Sequence, residues 1–289
     1  MLTRRDFIGS AVGGIAMTAA SSNLWPADRP AWPGPIGLEL YTVRKLFAND
    51  PAGTLKQVAA AGYKEVEIGP GVKPADLDRD LRAAGLSAPS GYFESPKAVE
   101  DWKKSVDQAH GYGLSFIVVG DNPTLDAEAW KHRADLYNQC GTLAKAAGLQ
   151  FCYHAHFREL AKTGGTTGYN ILLNRCDAKL VKMEMDVFWA MYAGVDPVPY
   201  FQRYPGRFPL LHIKDLRKGY AGSTTDDPAE SGPNPFVPVG RGGIDWKRIF
   251  AHASQAGAQH IFVEQDRCDA PPLESIKISY DYLKALRLS

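Results

Sequence analysis

The sequence predicts an α/β protein in which residues 31–289 form a single-domain, closed (β/α)8 barrel. An amphipathic helical stretch, a glycine and a short apolar run recur along the chain, and the apolar runs number eight. Together they fill roughly the 250 residues that one such barrel needs. A doubly wound open sheet is the alternative, but no glycine-rich phosphate loop supports its nucleotide-binding version.

The first segment, residues 1–30, is predicted to be a targeting signal followed by a linker. Arg4, Arg5 and Phe7 precede a short uncharged run of small residues, which is too short to span a membrane. The paired arginines resemble a twin-arginine export signal, and the alternative is a basic tail without a targeting role. We expect export to the periplasm or beyond, with no stable membrane anchor.

The barrel strands are predicted from apolar runs that each follow a helical stretch or the linker. Glycines suited to a left-handed helix C-cap precede five of them, at Gly62, Gly85, Gly113, Gly148 and Gly257. In chain order the runs are IGLELYTV, YKEVEIG, SAPSGYF, LSFIVVG, LQFCYHAH, AKLVKMEMDVFW, RFPLLHIKDL and QHIFVEQD. Such alternation of helices and strands is typical of a parallel sheet.

Composition excludes several classes of protein. Lys and Arg number 33 against 32 Asp and Glu, so the chain lacks the basic excess of a protein that binds nucleic acid through phosphates. A hydrophobic fraction of 45% is ample for a globular core.

The four cysteines are Cys140, Cys152, Cys176 and Cys268, and no two of them form a CxxC pair. We therefore expect no obligatory disulfide and a core position for Cys152.

Ionisable side chains end four consecutive predicted strands. In a barrel, alternate strand residues point inward and catalytic groups gather at the carboxyl-terminal strand ends, so these side chains are expected to meet. Along strands five to eight they are His154 and His156, Glu184 and Asp186, His212 and Lys214, and Glu264 and Asp266.

Such groups are costly to bury unless they are paired or bind a metal. Imidazoles and carboxylates from successive strands suit one divalent ion, either Mn, Zn, Co or Mg. Asp186, His212 and Glu264 are the strongest ligand candidates because three consecutive strands end alike. His156 is either a ligand or a hydrogen-bonded structural residue, whereas Lys214 is a salt-bridge partner, a sugar contact or a proton carrier.

Substrate contacts are predicted for Tyr41, Glu67 and Trp189 at the mouth of the barrel. Core packing is the alternative for aromatic residues in this region, including Phe188, and an ion pair across the barrel is the alternative for Glu65 or Glu67. Residues 218–238 form an unusually long connection, which is either a lid over the mouth or an idle surface insertion. The helix after it is expected to begin with Asp245 as its N-cap.

The ordered motifs LELYTVR, EVEIG, YHAH, EMDVFW, LHIKD, VGRGGIDW and VEQD resemble the xylose isomerase-like TIM barrel superfamily of sugar phosphate isomerases/epimerases. The resemblance covers nearly all of residues 31–289. It implies a divalent metal held by a strand-five residue and by Asp186, His212 and Glu264. The ketose 3-epimerases of this superfamily use a strand-five Glu as half of a proton-shuttling pair, and His154 stands at that position here.

The resemblance implies a metal-dependent isomerase or epimerase that acts through an enediolate on an unphosphorylated sugar or keto-sugar. Acid–base candidates are Glu264, Glu184, His156 and Lys214, and His154 is the fourth metal ligand. β-Elimination by a 3-keto-glycoside lyase and a non-catalytic periplasmic sugar-binding protein remain alternatives. The expected partner is a small carbohydrate rather than nucleic acid, and a homo-oligomer is left open.

Overall fold

The computed structural model describes residues 29–69, 76–228 and 232–288, and within them eight parallel strands close into a barrel. These strands are β1 (Gly37–Glu39), β2 (Glu65–Ile68), β3 (Ser87–Tyr92), β4 (Phe116–Val119), β5 (Gln150–His154), β6 (Val181–Asp186), β7 (Leu210–Ile213) and β8 (His260–Val263). Each strand pairs with the next along the chain, and β8 pairs with β1 to close the barrel. The predicted fold class is therefore confirmed.

Helices follow the strands and surround the barrel. They are α1 (Arg44–Asn49), α2 (Pro51–Ala61), α3 (Leu77–Ala84), α4 (Val99–Gly111), α5 (Ala127–Ala146), α6 (Gly168–Arg175), α7 (Val187–Tyr192), α8 (Val198–Arg203), α9 (Trp246–Ala251), α10 (Ala253–Ala256) and α11 (Pro272–Ala285). Short 3₁₀ turns cover Leu40–Val43 and Arg158–Leu160. Gly62, Gly85 and Gly257 cap α2, α3 and α10 at φ of 118°, 69° and 85°, as the sequence predicted.

Two predicted strands end earlier than their apolar runs. The Glu39 carboxylate accepts the backbone N–H of Tyr41, so β1 stops at Glu39 and the chain turns into a 3₁₀ helix. In the same way, Asp186 accepts the N–H of Trp189 at 2.9 Å and begins α7 directly after β6. Each of these acidic residues therefore ends its strand and caps the next element.

The two ends of the described chain meet in a small antiparallel pair. Residues Arg29–Pro30, which the sequence assigned to the linker, pair with Arg287–Leu288.

The predicted export signal lies outside the described residues. Among those residues, no helix is both long enough and apolar enough to cross a membrane.

A small inner core fills the lower half of the barrel. Phe116, Val118, Cys152, Leu210 and Phe262 form this cluster, so the predicted core position of Cys152 is confirmed. Below it, at the amino-terminal end of the strands, Glu65 and His260 form a carboxylate–imidazole contact with Oε2 and Nδ1 2.8 Å apart. The polar residues above the cluster therefore occupy the opposite end of the barrel.

The segment after β7 is organised by one buried carboxylate. Asp215 accepts the backbone N–H groups of Gly240 and Gly242, together with the indole N–H of Trp246. A Cβ at Gly242 would lie 2.2 Å from Asp215 Oδ1, so only glycine fits there. The Asp245 side chain accepts the N–H of Arg248 at 3.1 Å, which confirms the predicted N-cap of α9.

Candidate functional site

A cavity of about 520 Å³ opens at the carboxyl-terminal ends of the strands. This is the end of a (β/α)8 barrel at which catalytic groups gather. Seven of the predicted site residues line it, namely Tyr41, His154, His156, Trp189, His212, Lys214 and Glu264. The sequence therefore identified nearly half of the residues that line this cavity.

Three of the predicted metal ligands converge at the base of this cavity. His212 Nδ1 lies 2.8 Å from Oε2 of Glu264 and 3.7 Å from Oδ2 of Asp186. Asp186 Oδ2 and His212 Nδ1 are buried and make no hydrogen bond of acceptable geometry, although Lys214 Nζ lies 3.1 Å from Asp186 Oδ2. Two carboxylate oxygens and an imidazole nitrogen that lie this close together are ligands that a divalent cation accepts. The residues therefore fit a metal site.

The strand-five position is also suited to a ligand. His154 Nε2 lies 3.9 Å from Asp186 Oδ2, while His154 Nδ1 lies 3.0 Å from Oε2 of Glu184. Burial holds the pKa of His154 well below its ordinary value, so the ring is neutral, as a metal-binding imidazole must be. His154 can therefore be the fourth ligand, with Glu184 fixing its orientation from behind.

Glu184, predicted as a catalytic acid or base, lies beneath the cavity rather than on its wall. Its side chain is completely buried, and its Oε2 accepts a hydrogen bond from the Tyr92 hydroxyl at 3.0 Å as well as contacting His154. Burial and the neighbouring Glu67 raise the pKa of Glu184 well above its ordinary value. These contacts suit a residue that supports His154 better than one that touches substrate.

Lys214 lies among the same carboxylates as the ligand triad. Its Nζ is 2.7 Å from Oε2 of Glu264 and 3.1 Å from Oδ2 of Asp186. Asp266 Oδ2 is a third neighbour, at 3.1 Å. Burial opposes the ammonium charge, but the three carboxylates raise the pKa of Lys214 well above its ordinary value. Lys214 is thus a salt-bridge partner and a protonated group in the cavity wall.

The same charges act on Glu264 in the opposite direction. Burial alone would raise the pKa of its carboxyl, but Lys214 and His212 lower that pKa to about 2. Glu264 is therefore an anion at neutral pH. An anionic oxygen is what a divalent ion requires of a carboxylate ligand.

The loop after β5 presents two polar side chains to the cavity. The Glu159 carboxylate accepts the backbone N–H of His156, and Asn122 Oδ1 accepts that of Arg158. His156 Nδ1 is buried without a hydrogen-bond partner, and burial lowers the pKa of this imidazole to about 4. His156 is therefore neutral, while the Arg158 guanidinium lines the cavity as a cation.

Glu159 gives the protein a pH-dependent stability. It is completely buried, and burial raises its pKa to about 7, even though the Tyr153 hydroxyl and backbone N–H groups hydrogen-bond to the carboxylate. The native state therefore holds a proton that the unfolded chain loses near pH 4.5. The stability from this proton is complete below pH 4.5 and is lost as the pH rises through 7.

We expect wild-type protein to lose about 3 kcal/mol of unfolding free energy relative to Glu159→Gln as the pH rises from 4.5 to 8. The glutamine retains the shape and cannot ionise, so other titrating groups cancel in the comparison. Urea unfolding of both proteins across this range measures the difference. A difference that does not change with pH would contradict the buried-proton account.

Some site residues escaped the sequence-based prediction, and one predicted residue lies elsewhere. Glu39 and Arg158 line the cavity but were not singled out. Glu67, predicted to contact substrate, is instead fully buried behind His212, 2.6 Å from its Nε2, and does not line the cavity. Phe188 stacks on Phe236 with ring centroids 4.4 Å apart, so it belongs to a buried aromatic cluster.

The long segment after β7 reaches the mouth of the cavity. Asp227 contributes to the cavity lining, and the Tyr192 hydroxyl donates a hydrogen bond to the backbone oxygen of Asp226. Residues 236–237 pair with Asp215–Leu216. This position is the one that a lid would occupy, and its movement remains a prediction.

A second cleft, of about 720 Å³, adjoins the cavity. The two share Tyr92, Gly120 and Asp121 in their walls. Phe93 and Lys97 are among the other side chains that line the second cleft. A molecule larger than one sugar ring therefore has space to extend from the cavity beside β3 and β4.

Residues 55–286 match the family described as Xylose isomerase-like TIM barrel. An inosose dehydratase of Clostridium botulinum is 28% identical over 263 residues, covering 80% of this chain and 87% of the relative. The crystal structure of a sugar phosphate isomerase/epimerase from Parabacteroides distasonis is 26% identical, with a TM-score of 0.75 over 89% of this chain and 96% of that one. An IolI protein with a bound zinc atom is 13% identical, with a TM-score of 0.64 over 86% and 96% of the two chains, and shows the fold alone.

Proposed function

Because the chain belongs to the xylose isomerase-like TIM barrel family, we propose that it is a metal-dependent lyase that eliminates a β-substituent from a ring ketone such as a keto-cyclitol or keto-sugar. The similarity to inosose dehydratases favours elimination, which the sequence left as an alternative, over isomerisation. Epimerases are also among the structural neighbours, so the distinction rests on the chemistry of the site.

One observation supports elimination above all: a protonated lysine adjoins the proposed metal ligands, where the superfamily's epimerases rely on two glutamates. Lys214 Nζ lies 2.7 Å from Glu264, and the strand-five position is His154 instead of a glutamate. Expulsion of a hydroxyl or alkoxyl group needs a proton donor, because the leaving oxygen would otherwise depart as a strong base. The ammonium group of Lys214 can donate that proton.

The proposed ligands are His154, Asp186, His212 and Glu264. A divalent ion held there supplies a Lewis acid for the substrate carbonyl, which lowers the cost of removing the neighbouring C–H proton. His156, which is neutral and lines the cavity, is the candidate acceptor of that proton. Lys214 then protonates the oxygen that departs from the β-carbon. Together these two proton transfers leave an unsaturated ketone, and the other product is water or an alcohol.

Recognition of the ring is proposed for three side chains on the cavity wall. Tyr41 and Trp189 place parts of their aromatic rings in the cavity wall, where they would contact the apolar side of a sugar ring, and Arg158 can donate hydrogen bonds to its hydroxyl oxygens. We also propose that the substrate is unphosphorylated and that residues 1–30 act as an export signal. Neither assignment depends on the chemistry at Lys214.

The test uses protein stripped of metal and reloaded separately with Mn, Zn, Co or Mg. Each sample is incubated in D₂O with an inosose, a 3-keto-glucoside and a simple ketose, and proton NMR follows the products. We expect deuterium at the carbon next to the ketone and loss of the β-substituent. Exchange with inversion but no elimination would identify an epimerase, and no binding of metal with no exchange would favour the non-catalytic sugar-binding protein.

The adjoining cleft supports a second candidate within the same reaction, the 3-keto-glycoside lyase. Water needs no space beyond the cavity when it leaves, whereas the alcohol released from a glycoside does. The cleft beside Tyr92 and Phe93 has a volume of about 720 Å³, which is enough for another sugar ring. Faster elimination from the 3-keto-glucoside than from the inosose would select this candidate, and the reverse order would select the dehydratase.

A further inference from the structure

A buried polar cluster lies on the far side of His212 from the proposed metal. Glu67, on β2, extends across the barrel so that its Oε2 is 2.6 Å from Nε2 of His212. Its other oxygen, Oε1, accepts the hydroxyl hydrogen of Ser90 at 2.6 Å. Glu67 and Ser90 are both 0% exposed and neither lines the cavity, so they do not contact a substrate.

This contact determines which nitrogen of His212 carries a hydrogen. The Glu67 carboxylate can only accept, so Nε2 donates its hydrogen to Glu67, and any proton that the ring gives up on binding a metal is the one on Nδ1. Nδ1 is the atom that faces Asp186 and Glu264. The hydrogen bond therefore leaves the correct nitrogen available to a metal ion.

Both oxygens of Glu67 are fixed, so its carboxylate has little freedom to turn. Ser90 holds Oε1 and His212 holds Oε2. The Glu67 carboxylate is thus held in place by its neighbours before any ligand enters the cavity.

We propose that Glu67, held by Ser90, is a positioning residue that fixes the tautomer and orientation of His212 for metal binding. This proposal takes the metal site from the proposed function, but it concerns the support of one ligand and not the reaction. Outer carboxylates that orient a ligating histidine typically contribute roughly 10- to 100-fold to metal affinity.

The barrel contains a matched control for Glu67. Glu65 lies two residues earlier on the same strand and also forms a carboxylate–imidazole pair, with Oε2 2.8 Å from Nδ1 of His260. That pair is at the opposite end of the barrel, below the inner core of Phe116 and Phe262. Removing Glu65 therefore disturbs a similar contact without touching the proposed metal ligands.

The experiment compares zinc affinity, measured by competition with a chromogenic chelator, in four proteins. We expect Glu67→Ala to bind zinc roughly 10- to 100-fold more weakly than wild type. Glu67→Gln should recover part of this loss, because its amide oxygen can still accept the Nε2 hydrogen, and Glu65→Ala should match wild type. Wild-type affinity in Glu67→Ala would overturn the proposal. If Glu67→Ala fails to fold, Ser90→Ala is measured in its place. We expect Ser90→Ala to lose less zinc affinity than is expected of Glu67→Ala, and wild-type affinity in Ser90→Ala would overturn the proposal.

A second readout does not depend on metal or on activity. Proton NMR of ¹⁵N-histidine-labelled protein should show an Nε2–H resonance of His212 that is protected from exchange with solvent, and Glu67→Ala should abolish this protection. An unprotected resonance in wild type would overturn the positioning role. If wild type binds no zinc but keeps the protected resonance, the proposed metal-dependent function fails while the support of His212 stands.

Discussion

His212→Ala is expected to abolish stoichiometric metal binding and with it the proposed elimination. His212 Nδ1 is at the centre of the ligand group, 2.8 Å from Glu264 and 3.7 Å from Asp186. Its removal leaves carboxylates that face one another without an imidazole between them, and the loss should exceed the roughly 100-fold that a supporting residue contributes. Plasma mass spectrometry of dialysed protein measures the metal, and NMR in D₂O measures the exchange.

Two further variants make this result specific. Glu264→Gln removes an anionic ligand oxygen while keeping the side-chain shape, so metal retention should fall sharply here too. His260→Ala removes a histidine of the same barrel at its opposite end, where its partner is Glu65, and should leave both metal and activity unchanged. Unchanged metal stoichiometry in both His212→Ala and Glu264→Gln would refute the proposed site.

The residues at the strand ends of this barrel could be predicted because two sequence patterns coincide there. Apolar runs locate the strands, and alternate residues after them point inward, so Asp186, His212, Lys214 and Glu264 could all be placed from the sequence. Their convergence at one end of the barrel agrees with that expectation, because His212, Lys214 and Glu264 line the cavity and Asp186 lies beside them. The sequence could not supply the distances between them, because these depend on the stagger between neighbouring strands.

Glu65 and Glu67 show where that stagger limits prediction. Both point into the barrel from β2, and sequence alternation treats them alike. In the structure one pairs with His260 at the bottom of the barrel and the other with His212 near the top. A step of two residues along one strand therefore separates a structural carboxylate–imidazole contact from a contact that supports a proposed metal ligand.

Arg158 escaped prediction for a different reason. It lies in a loop, where no periodicity indicates the direction of a side chain. Its backbone N–H is held by Asn122, a residue at the unusual φ of 45°, and this contact joins the loops after β4 and β5. Such a contact between two loops depends on tertiary structure that neither segment reveals alone.

Lys214→Met is expected to separate catalysis from metal binding. The variant keeps His154, Asp186, His212 and Glu264, so metal should remain bound. The proton donor for the leaving oxygen is lost, and removal of a general acid typically lowers kcat by about 10²- to 10⁴-fold. Lys182→Met is the matched control, because Lys182 lies on β6 and donates to the backbone oxygen of Gly206, away from the cavity.

The same Lys214→Met variant should also show how charge is balanced in the cavity. The single positive charge of Lys214 is shared among the carboxylates of Asp186, Glu264 and Asp266, all of which are nearly buried. Removing one partner of a buried ion pair typically costs about 3–5 kcal/mol, so the metal-free variant should unfold at a lower urea concentration than wild type. Added divalent ion should restore much of the loss, because it binds the same carboxylates only in the folded state. Equal metal-dependent stabilisation of variant and wild type would show that Lys214 and the ion do not share these carboxylates.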